Sequence, residues 1–336
     1  MKELFNKKLN SFPVIIAEIG LNHEGSINKA KKLIKLAKKG NADAVKFQFY
    51  TPDKYVSTSN QIRYNQISKF ALSVENFFEL KNFSKKLKIP FFATPLTEDW
   101  VDIIAKNCEV VKVASGDINF QPTLKLVTKL AKKIIVSTGA SSFDEIKNTV
   151  KFIKQRRKNY KDTLALLHCI SSYPTPSKEV NLESINFLKE KFKLCIGYSN
   201  HNKDIKSCLY AFIKGAKIIE VHFTDSNRKR KFRDHQLSFT WNQTRQLRYL
   251  INEAKVFLGS YEKKIQKSEK DNQQIIRKGL IVKKDLEKNS QIKFSDLSFA
   301  RPATKMCYKE AKNVVGKKLK KNISKGFQLS NCDLKN

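Results

Sequence analysis

The sequence VIIAEI, which begins at Val14, sets the pattern from which the fold of this 336-residue chain is predicted. The run is almost wholly apolar, and a stretch with helical spacing of apolar residues (Ala30, Leu33, Ile34, Ala37) follows it. Seven further runs of this kind, each with a helix-like stretch after it, are AVKFQF near Ala44, PFFAT near Pro90, VVKVA near Val110, KIIVS near Lys133, TLALLH near Thr163, LCIGY near Leu194 and KIIEVHF near Lys217. Apolar strands of this type are typical of a parallel sheet buried on both faces. Eight such units predict an α/β protein with a closed (β/α)8 TIM barrel. An open doubly wound sheet is the alternative, although no GxGxxG motif supports it.

The composition of the sequence changes after residue 258. Residues 259–274 are polar and rich in lysine, whereas residues 275–336 contain short apolar segments separated by turns. We therefore predict a catalytic barrel over residues 1–258, a linker over 259–274 and a small β-rich domain over 275–336. A domain of about sixty residues is close to the lower size limit for an independent core. We expect it to dock on a barrel, either its own or that of a partner.

Charge and composition exclude several classes of protein. The chain has 66 Lys and Arg residues against 31 Asp and Glu residues. Most of the positive charges are lysines that are spread over predicted helix faces. Nucleic-acid-binding surfaces, in contrast, concentrate arginine and interleave it with aromatic residues. We predict no specific nucleic-acid partner, only adhesion to polyanions at low salt. The sequence has no apolar run of membrane-spanning length, no apolar signal segment at its start and no CxxC pair among its six cysteines. We expect a cytoplasmic protein without a membrane partner.

The five histidines of the chain, His23, His168, His201, His222 and His235, all lie at or just beyond the ends of predicted strands. That end of a (β/α)8 barrel carries the active site, and histidine is both a metal ligand and a proton-transfer group. His201 and His222 follow neighbouring strands and can converge on one ion. Two imidazoles with open oxygen positions suit Mn²⁺, Fe²⁺ or Zn²⁺ rather than Ca²⁺. His23 and His168 can instead be core residues, and His235 a substrate contact. The distribution predicts an enzyme.

Lysines and hydroxyl residues form a second group at the strand ends. Lys46 and Lys112 lie inside apolar strands, where burial without an anion is unfavourable. They predict either an anionic ligand in the barrel mouth or ion pairs with carboxylates. Hydroxyl groups suited to phosphate oxygens are those of Thr94, Ser115, Ser137, Thr138 and Ser199. The alternative is an internal lysine–glutamate network, with hydroxyls that cap the helices that follow.

The strand ends carry motifs that resemble those of the N-acetylneuraminate (sialic acid) synthase family. These motifs are AEIGLNHEG (17–25), ADAVKFQ (42–48), ATP (93–95), VKVASG (111–116), STG (137–139), YPTP (173–176), GYSNH (197–201) and EVHFT (220–224). In the tail, RKGL (277–280), ARP (300–302) and NISKG (322–326) are similar to the antifreeze-like (SAF) domain of the same family. The resemblance runs in unbroken order from about residue 13 to residue 333.

The resemblance implies an activity. Members of the family condense phosphoenolpyruvate with an N-acylated amino-sugar aldehyde to give a nonulosonic acid and phosphate. They are metal-dependent homodimers in which the SAF domain of one chain closes the barrel of the other. The implied acceptor is a sugar of the N-acetylmannosamine type, with the diacetamido precursors of legionaminic and pseudaminic acids as alternatives. The implied cofactor is Mn²⁺, or else Mg²⁺ or Co²⁺.

The resemblance also implies roles for individual residues. His201 and His222 would hold the cation, and Glu18, Lys46 and Asp117 would be catalytic. The side chains implied to bind phosphoenolpyruvate or the sugar are Gln48, Thr94, Lys112, Ser115, Ser137, Ser171, Tyr173, Ser199, Asp234 and the partner's Arg301.

Three departures from the family pattern bear on sugar choice or efficiency. Asp117 stands where the family commonly has Glu, which is longer by one methylene. Asn200 replaces the usual Asp before His201, which would remove a charge beside the metal. Residues 228–233 replace a loop rich in glycine and proline with a basic one, which could bind a sugar 6-phosphate.

Two other functions compete with this interpretation. A Schiff-base aldolase would use Lys46 or Lys112 as its nucleophile. The C-terminal domain could also be an ice- or carbohydrate-binding module rather than an active-site lid.

Overall fold

The computed structural model of the chain describes residues 1–9, 12–228, 230 and 232–335. The chain divides into two compact units, Met1–Leu258 and Gly259–Asn336. The helix Lys270–Ile276 extends across the predicted limit between linker and small domain at 274/275. The predicted limits 259–274 and 275–336 stay predictions.

Within the described residues, the first unit contains a closed barrel of eight parallel strands, which confirms the predicted (β/α)8 fold. A short antiparallel hairpin, β1 (Glu3–Leu4) and β2 (Lys7–Lys8), precedes it. The barrel strands are β3 (Val14–Gly20), β4 (Ala44–Phe49), β5 (Phe91–Pro95), β6 (Val110–Val113), β7 (Lys133–Ser137), β8 (Leu164–Cys169), β9 (Cys195–Asn200) and β10 (Ile218–His222). The strands pair in chain order, and β10 closes the barrel against β3.

Helices surround the barrel because their apolar residues recur on one side. In α1 (Ile27–Lys39) the buried residues are Ala30, Leu33, Ile34 and Ala37, and the Ser26 hydroxyl caps the first turn. The other helices of this unit are α2 (Pro52–Tyr55), α3 (Gln61–Phe70), α4 (Val74–Lys86), α5 (Asp99–Asn107), α6 (Gln121–Leu130), α7 (Phe143–Arg156), α8 (Tyr160–Thr163), α9 (Glu183–Phe192), α10 (Ile205–Ile213), α11 (Arg233–Leu237) and α12 (Trp241–Leu258). Among the described residues, none of the helices combines the length and apolarity needed to cross a bilayer.

The connection between β4 and α4 is an insertion of residues 50–73 that contains α2 and α3. It is much longer than the 2–6 residues usual for such a connection. Leu21, Tyr50, Ile67 and Phe70 form a small hydrophobic cluster here, separate from the main core. Phe232, from the segment after β10, packs edge-on against Phe70 with ring centroids 5.4 Å apart. The insertion and the segment after β10 are therefore held together at the C-terminal end of the barrel.

The second unit is a small β structure around its own core. Helix α13 (Lys270–Ile276) leads into β11 (Gly279–Val282), which pairs antiparallel with β12 (Leu297–Ala300), and α14 (Ala311–Val314) follows. Isolated bridges such as Leu286↔Ile323 tie later segments to this pair. The buried residues at its centre include Leu280, Val282, Val314, Leu319 and Leu329.

Asp43 joins three segments at the N-terminal end of the barrel strands. Its carboxylate accepts a hydrogen bond from the backbone nitrogen of Ile15 at 2.7 Å and forms ion pairs with Lys7 and Arg248. The Asp43 side chain is only 4% exposed and that of Arg248 13%. The carboxylate thus fastens the N-terminal hairpin and α12 to β3.

We expect Asp43→Ala to lower the free energy of unfolding by about 3 kcal/mol, because the change leaves the partly buried guanidinium of Arg248 and the buried backbone nitrogen of Ile15 without their partner. The matched control is Asp102→Ala, which removes an exposed ion pair to Lys106 on α5 and should change stability by less than about 1 kcal/mol. Urea denaturation followed by circular dichroism measures both. Equal effects of the two substitutions would contradict the role given to Asp43.

Candidate active site

The strand register brings the predicted residues together at the C-terminal end of the barrel. Glu18 lies opposite His222 on one neighbouring strand and opposite Lys46 on the other, and Gln48 lies opposite Thr94. A cavity of about 340 Å³ opens here. The predicted residues that line it are Glu18, Lys46, Gln48, Thr94, Lys112, Ser115, Ser137, Ser171, Tyr173, Ser199, His201, His222 and Asp234.

Buried ion pairs form the floor of this cavity. The Lys46 ammonium lies 2.9 Å from Glu18 Oε2 and 3.3 Å from Glu220 Oε1, and the Lys112 ammonium lies 3.7 Å from Glu220 Oε1. None of the four residues is more than 4% exposed. The internal lysine–glutamate network considered as an alternative is therefore present, and the same lysines also face the cavity.

The hydroxyl groups bind the network rather than the helices. The Lys112 ammonium donates to Ser137 Oγ at 2.6 Å, the Lys46 ammonium donates to Thr94 Oγ1 at 3.2 Å, and Ser199 Oγ donates to Glu220 Oε1 at 3.0 Å. The helix after β7 is capped instead by Ser142, whose hydroxyl accepts from the backbone nitrogen of Glu145. The helix-capping role that the alternative interpretation gave to the strand-end hydroxyls is wrong for these three.

Burial and the neighbouring charges shift the pKa values of the network in opposite directions. Burial raises the pKa of the Glu18 carboxyl, and Glu220 adds to this against the charge of Lys46. For Glu220, burial is outweighed by Lys112 and Lys46, which lower its pKa. Burial lowers the pKa of Lys112, whereas for Lys46 the two carboxylates outweigh burial and raise it. Glu18 is therefore the carboxyl of the network that takes up a proton more readily than Glu220.

His201 and His222 face each other at the rim of the network, with ring centroids 5.2 Å apart. His201 Nδ1 lies 2.6 Å from the carbonyl oxygen of Ile170, which favours the tautomer with its proton on Nδ1 and leaves Nε2 available. Burial lowers the pKa of His222 to about 4, so that its ring is neutral at pH 7. The Tyr173 ring lies against both, with centroids 4.0 Å from His201 and 5.8 Å from His222.

This pair fits a divalent cation. His222 Nδ1 is buried and has no hydrogen-bond partner among the described residues, and neutral imidazole nitrogens are ligands for Mn²⁺ and similar ions. Within the same ranges, no group of three or more His, Cys, Asp and Glu side chains is arranged to hold a metal ion. A cation held by the two histidines would therefore take further ligands from water or a bound molecule.

The other three histidines lie outside the cavity lining. His23 Nδ1 accepts from the backbone nitrogen of Gly25 at 3.0 Å, and His168 Nε2 lies 2.8 Å from the carbonyl oxygen of Val180. His235 Nδ1 lies 2.7 Å from Thr224 Oγ1. These rings order the loops that follow the strands.

Asn200 points away from the histidine pair. Its Oδ1 accepts from the Tyr198 hydroxyl at 2.9 Å, from the backbone nitrogen of Asn202 at 2.9 Å and from Ser207 Oγ on α10 at 3.0 Å. The expectation that Asn200 removes a charge beside the metal is therefore wrong, because this side chain lies between β9 and α10.

One predicted residue and the described part of one predicted loop lie outside the cavity lining, and the role of the partner's Arg301 stays a prediction. Asp117, in a half-buried turn after β6, is not among the cavity-lining residues, and Arg301 belongs to the second unit, where its Nε donates to the carbonyl oxygen of Ile276 at 2.6 Å. In the loop 228–233, residues 229 and 231 lie outside the described residues, whereas Arg230 forms an ion pair with Asp225 at 3.0 Å.

The structure adds lining residues that the strand-end pattern missed: Leu21, Tyr55, Arg63, Leu96, Ala114, Ala140 and Cys169. Gly116 and Glu220, which the pattern contained without an assigned site role, also line the cavity. Tyr55 and Arg63 come from the insertion 50–73. Its length, too great for a simple connection, is the signal that could have found them. Glu220 lies on β10 two residues before His222, so the alternation of a strand predicts that it faces the same side.

Comparison with known proteins shows similarity over most of the chain. Residues 33–263 match the NeuB family. An uncharacterized protein of Methanocaldococcus jannaschii is 39% identical over 91% of this chain and 90% of its own length. The N,N'-diacetyllegionaminic acid synthase of Campylobacter jejuni is 35% identical over 92% of this chain and 96% of its own. The crystal structure of N-acetylneuraminic acid (sialic acid) synthetase from Leptospira borgpetersenii in complex with citrate is 34% identical, covers 77% of this chain and 90% of its own, and has a TM-score of 0.73.

We expect the Asp117 carboxyl to titrate near pH 6, since burial and the neighbouring Glu98 raise its pKa to about 6. It is then neutral in mild acid and charged above neutrality. Nuclear magnetic resonance of protein labelled with ¹³C-carboxyl aspartate measures this, with Asp117→Asn to assign the signal. Glu98→Gln should move the pKa toward its ordinary value. Titration of Asp117 near pH 4, the usual value for aspartate, would contradict the expectation.

Proposed function

The chain belongs to the NeuB family, and from this we propose that it is a nonulosonic acid synthase. It condenses phosphoenolpyruvate with an N-acylated amino-sugar aldehyde of the N-acetylmannosamine type and releases phosphate. The observation that carries this proposal is that one cavity at the end of the barrel combines two buried lysines, several hydroxyls and two facing imidazoles. The names of the Campylobacter and Leptospira relatives support it.

The lysine half of the cavity suits phosphoenolpyruvate. Lys46 and Lys112, with the hydroxyls of Thr94, Ser137 and Ser199, offer charged and neutral donors to phosphate and carboxylate oxygens. The two lysines are balanced by Glu18 and Glu220, so the network has no net charge when both carboxylates are ionised. A multiply charged anion would therefore need a further cation beside it, and the histidine pair is the place for one.

His201 and His222 would hold that cation, which we propose to be Mn²⁺, with Mg²⁺ or Co²⁺ as substitutes. When bound, such an ion supplies a Lewis acid that makes an aldehyde carbon more electrophilic.

The proposed condensation comprises carbon–carbon bond formation, addition of water and release of phosphate. C3 of phosphoenolpyruvate forms a bond to the aldehyde carbon, and the aldehyde oxygen takes up a proton. Water adds at C2 and gives up a proton. The bond between C2 and the phosphate oxygen then breaks, the C2 hydroxyl becomes a carbonyl, and its proton passes to the departing phosphate. Glu18, held by Gln48 Nε2 at 2.8 Å and by Lys46, is placed to hold or transfer a proton. Fixed donors on the phosphate provide positioning and charge stabilisation throughout.

The sugar would occupy the outer half of the cavity, beside Gln48, Tyr173 and Asp234. A diacetamido precursor of legionaminic acid is the second candidate for the acceptor, and the similarity to the Campylobacter synthase over 92% of the chain favours it. Both acceptors require the same bond changes.

The test of the proposed reaction follows phosphate release from phosphoenolpyruvate with each candidate sugar in turn. We expect release that requires a sugar, stops with EDTA and returns with Mn²⁺. Lys112→Met should lower kcat/KM at least about 100-fold by removing a fixed donor, whereas Lys125→Met, on the exposed side of α6, should leave it unchanged.

The lowered pKa of Lys112 also suits a Schiff-base aldolase. Trapping of pyruvate by borohydride together with EDTA-resistant activity would favour that enzyme instead.

We also propose that the active enzyme is a homodimer in which the partner's Arg301 completes the sugar site. His222→Ala and Arg301→Ala should each be inactive alone. After unfolding and refolding together, random pairing should restore about a quarter of wild-type activity, since about half of the dimers then contain one intact site. Refolding of each variant alone is the control. If the mixture stays inactive although heterodimers form, the exchanged arrangement is wrong.

A further inference from the structure

A second cavity, which we call the basal cavity, lies at the opposite end of the barrel from the histidine pair. It has a volume of about 530 Å³ and is lined by Cys195 and Ile196, which begin β9, and by Lys217, which directly precedes β10. His201 and His222 lie at the other ends of these two strands. At about 3.3 Å per residue, the length of β9 separates the two cavities by roughly 15 Å. The basal cavity is therefore distinct from the candidate active site.

The basal cavity is rich in positive charge. The lysines that line it come from the segment before β1, from α8, from the end of α9 and from the approach to β10, and they are Lys2, Lys161, Lys189, Lys193 and Lys217. In the part of the chain that the structure describes, none of these five ammonium groups forms an ion pair. Lys214, next to the lining residue Gly215, pairs in contrast with Glu183. One carboxylate, that of Asp162, lines the cavity with the five lysines.

Two of these lysines are close enough to repel each other. Lys189 Nζ lies 4.0 Å from the point that a Cβ atom would occupy at Gly215, two residues before Lys217. Burial lowers the pKa of the Lys217 ammonium, and the charge of Lys189 lowers it further. A concave surface lined by one sign of charge attracts ions of the opposite sign, and such an ion relieves the repulsion. Five lysines against one carboxylate favour an anion with at least two negative charges.

One wall of the basal cavity is apolar. Leu9, Leu194 and Ile196 belong to it, and each is at most 7% exposed. Burial raises the pKa of the Cys195 thiol to about 11, so this side chain is also uncharged at neutral pH. The volume lies within the range of about 300–1,000 Å³ that is usual for sites of organic ligands, and it exceeds what an inorganic phosphate ion would fill. The geometry therefore suits an anion that also carries an uncharged body.

We infer that the basal cavity binds a nucleoside diphosphate. The lysines donate to its phosphate oxygens, and its base lies against the apolar wall. Lysine binds phosphate as a point charge on a flexible stem, so the five ammonium groups can adapt to two linked phosphates. Pyrophosphate carries the charges but lacks the body, and a sugar phosphate would place hydroxyl groups against the apolar wall. The inference is independent of the proposed reaction, because the two cavities share no lining residue.

Calorimetric titration of the full chain with ADP, GDP, CDP and UDP in turn tests the inference. The titration is done at about 150 mM NaCl, because salt at this concentration screens the adhesion of anions to exposed lysines. We expect at least one diphosphate to bind with a dissociation constant below about 100 μM. Pyrophosphate and glucose 6-phosphate should bind at least about tenfold more weakly, since they leave the apolar wall uncovered. The nucleoside without phosphates should not bind.

Paired substitutions locate the site. The double variant Lys189→Met/Lys217→Met should weaken binding at least about tenfold, as expected for the loss of a hydrogen bond to a charged group. The matched control is Lys125→Met/Lys129→Met, which removes the same charge from exposed positions on α6 and should bind like the wild type. Lys189→Glu reverses one charge at an exposed position of α9 and repeats the test without a change at the partly buried Lys217.

Four results would overturn the inference. Absent binding of all four diphosphates to the wild type would exclude the site. Equal weakening in both double variants would reduce the effect to the general charge of the chain. Pyrophosphate or glucose 6-phosphate that binds as tightly as the best diphosphate would exclude a role for the base. Unchanged binding in Lys189→Met/Lys217→Met and in Lys189→Glu would place the ligand elsewhere on the protein.

Discussion

Four buried charges at the centre of the barrel constrain everything built around them. Lys46 lies between Glu18 and Glu220, and Lys112 lies beside Glu220 and Ser137. Each charge is acceptable inside the protein only because the others are present, since removing one partner of a buried pair costs about 3–5 kcal/mol. The pairs also require strict register, because a shift of one residue would turn a strand's polar side chains to its other face. The site is therefore part of what makes the barrel close in one way.

The positions of His201 and His222 depend on the same strand register. His222 ends β10 beside Glu18 of β3, and His201 follows β9 directly. Behind His201, the Asn200 amide binds Tyr198, Asn202 and Ser207, which fixes the chain where it leaves the barrel. A neutral amide performs this task with both of its polar ends, since its Nδ2 also donates to the carbonyl oxygen of Asn202.

The sequence was sufficient to predict the barrel and most of its cavity because both depend on simple periodicities. Apolar runs identify strands buried on both faces, and alternation within a strand places Lys46 and Gln48 on the same side. Residues outside the barrel strands were harder, since no strand alternation decides where they point: His23 and His235 bind the backbone of Gly25 and the hydroxyl of Thr224 instead of lining the cavity. His168 lies on β8, but its Nε2 lies beside the carbonyl oxygen of Val180 rather than in the cavity lining. Asn200 was misjudged because its neighbour His201 faces the cavity, whereas adjacent strand residues face opposite sides. Arg63 was missed because α3 lies in an insertion whose contacts are tertiary.

The insertion has a consequence for how such an enzyme can change. Its cluster of Leu21, Tyr50, Ile67 and Phe70 is separate from the main core. Side chains on the cavity side of α3 can therefore be exchanged without repacking the barrel, and the lysine floor below them stays as it is. The insertion and the lysine floor are thus separate layers that can diverge at different rates, so a library confined to residues 50–73 would vary the outer lining of the cavity while leaving the lysine floor unchanged.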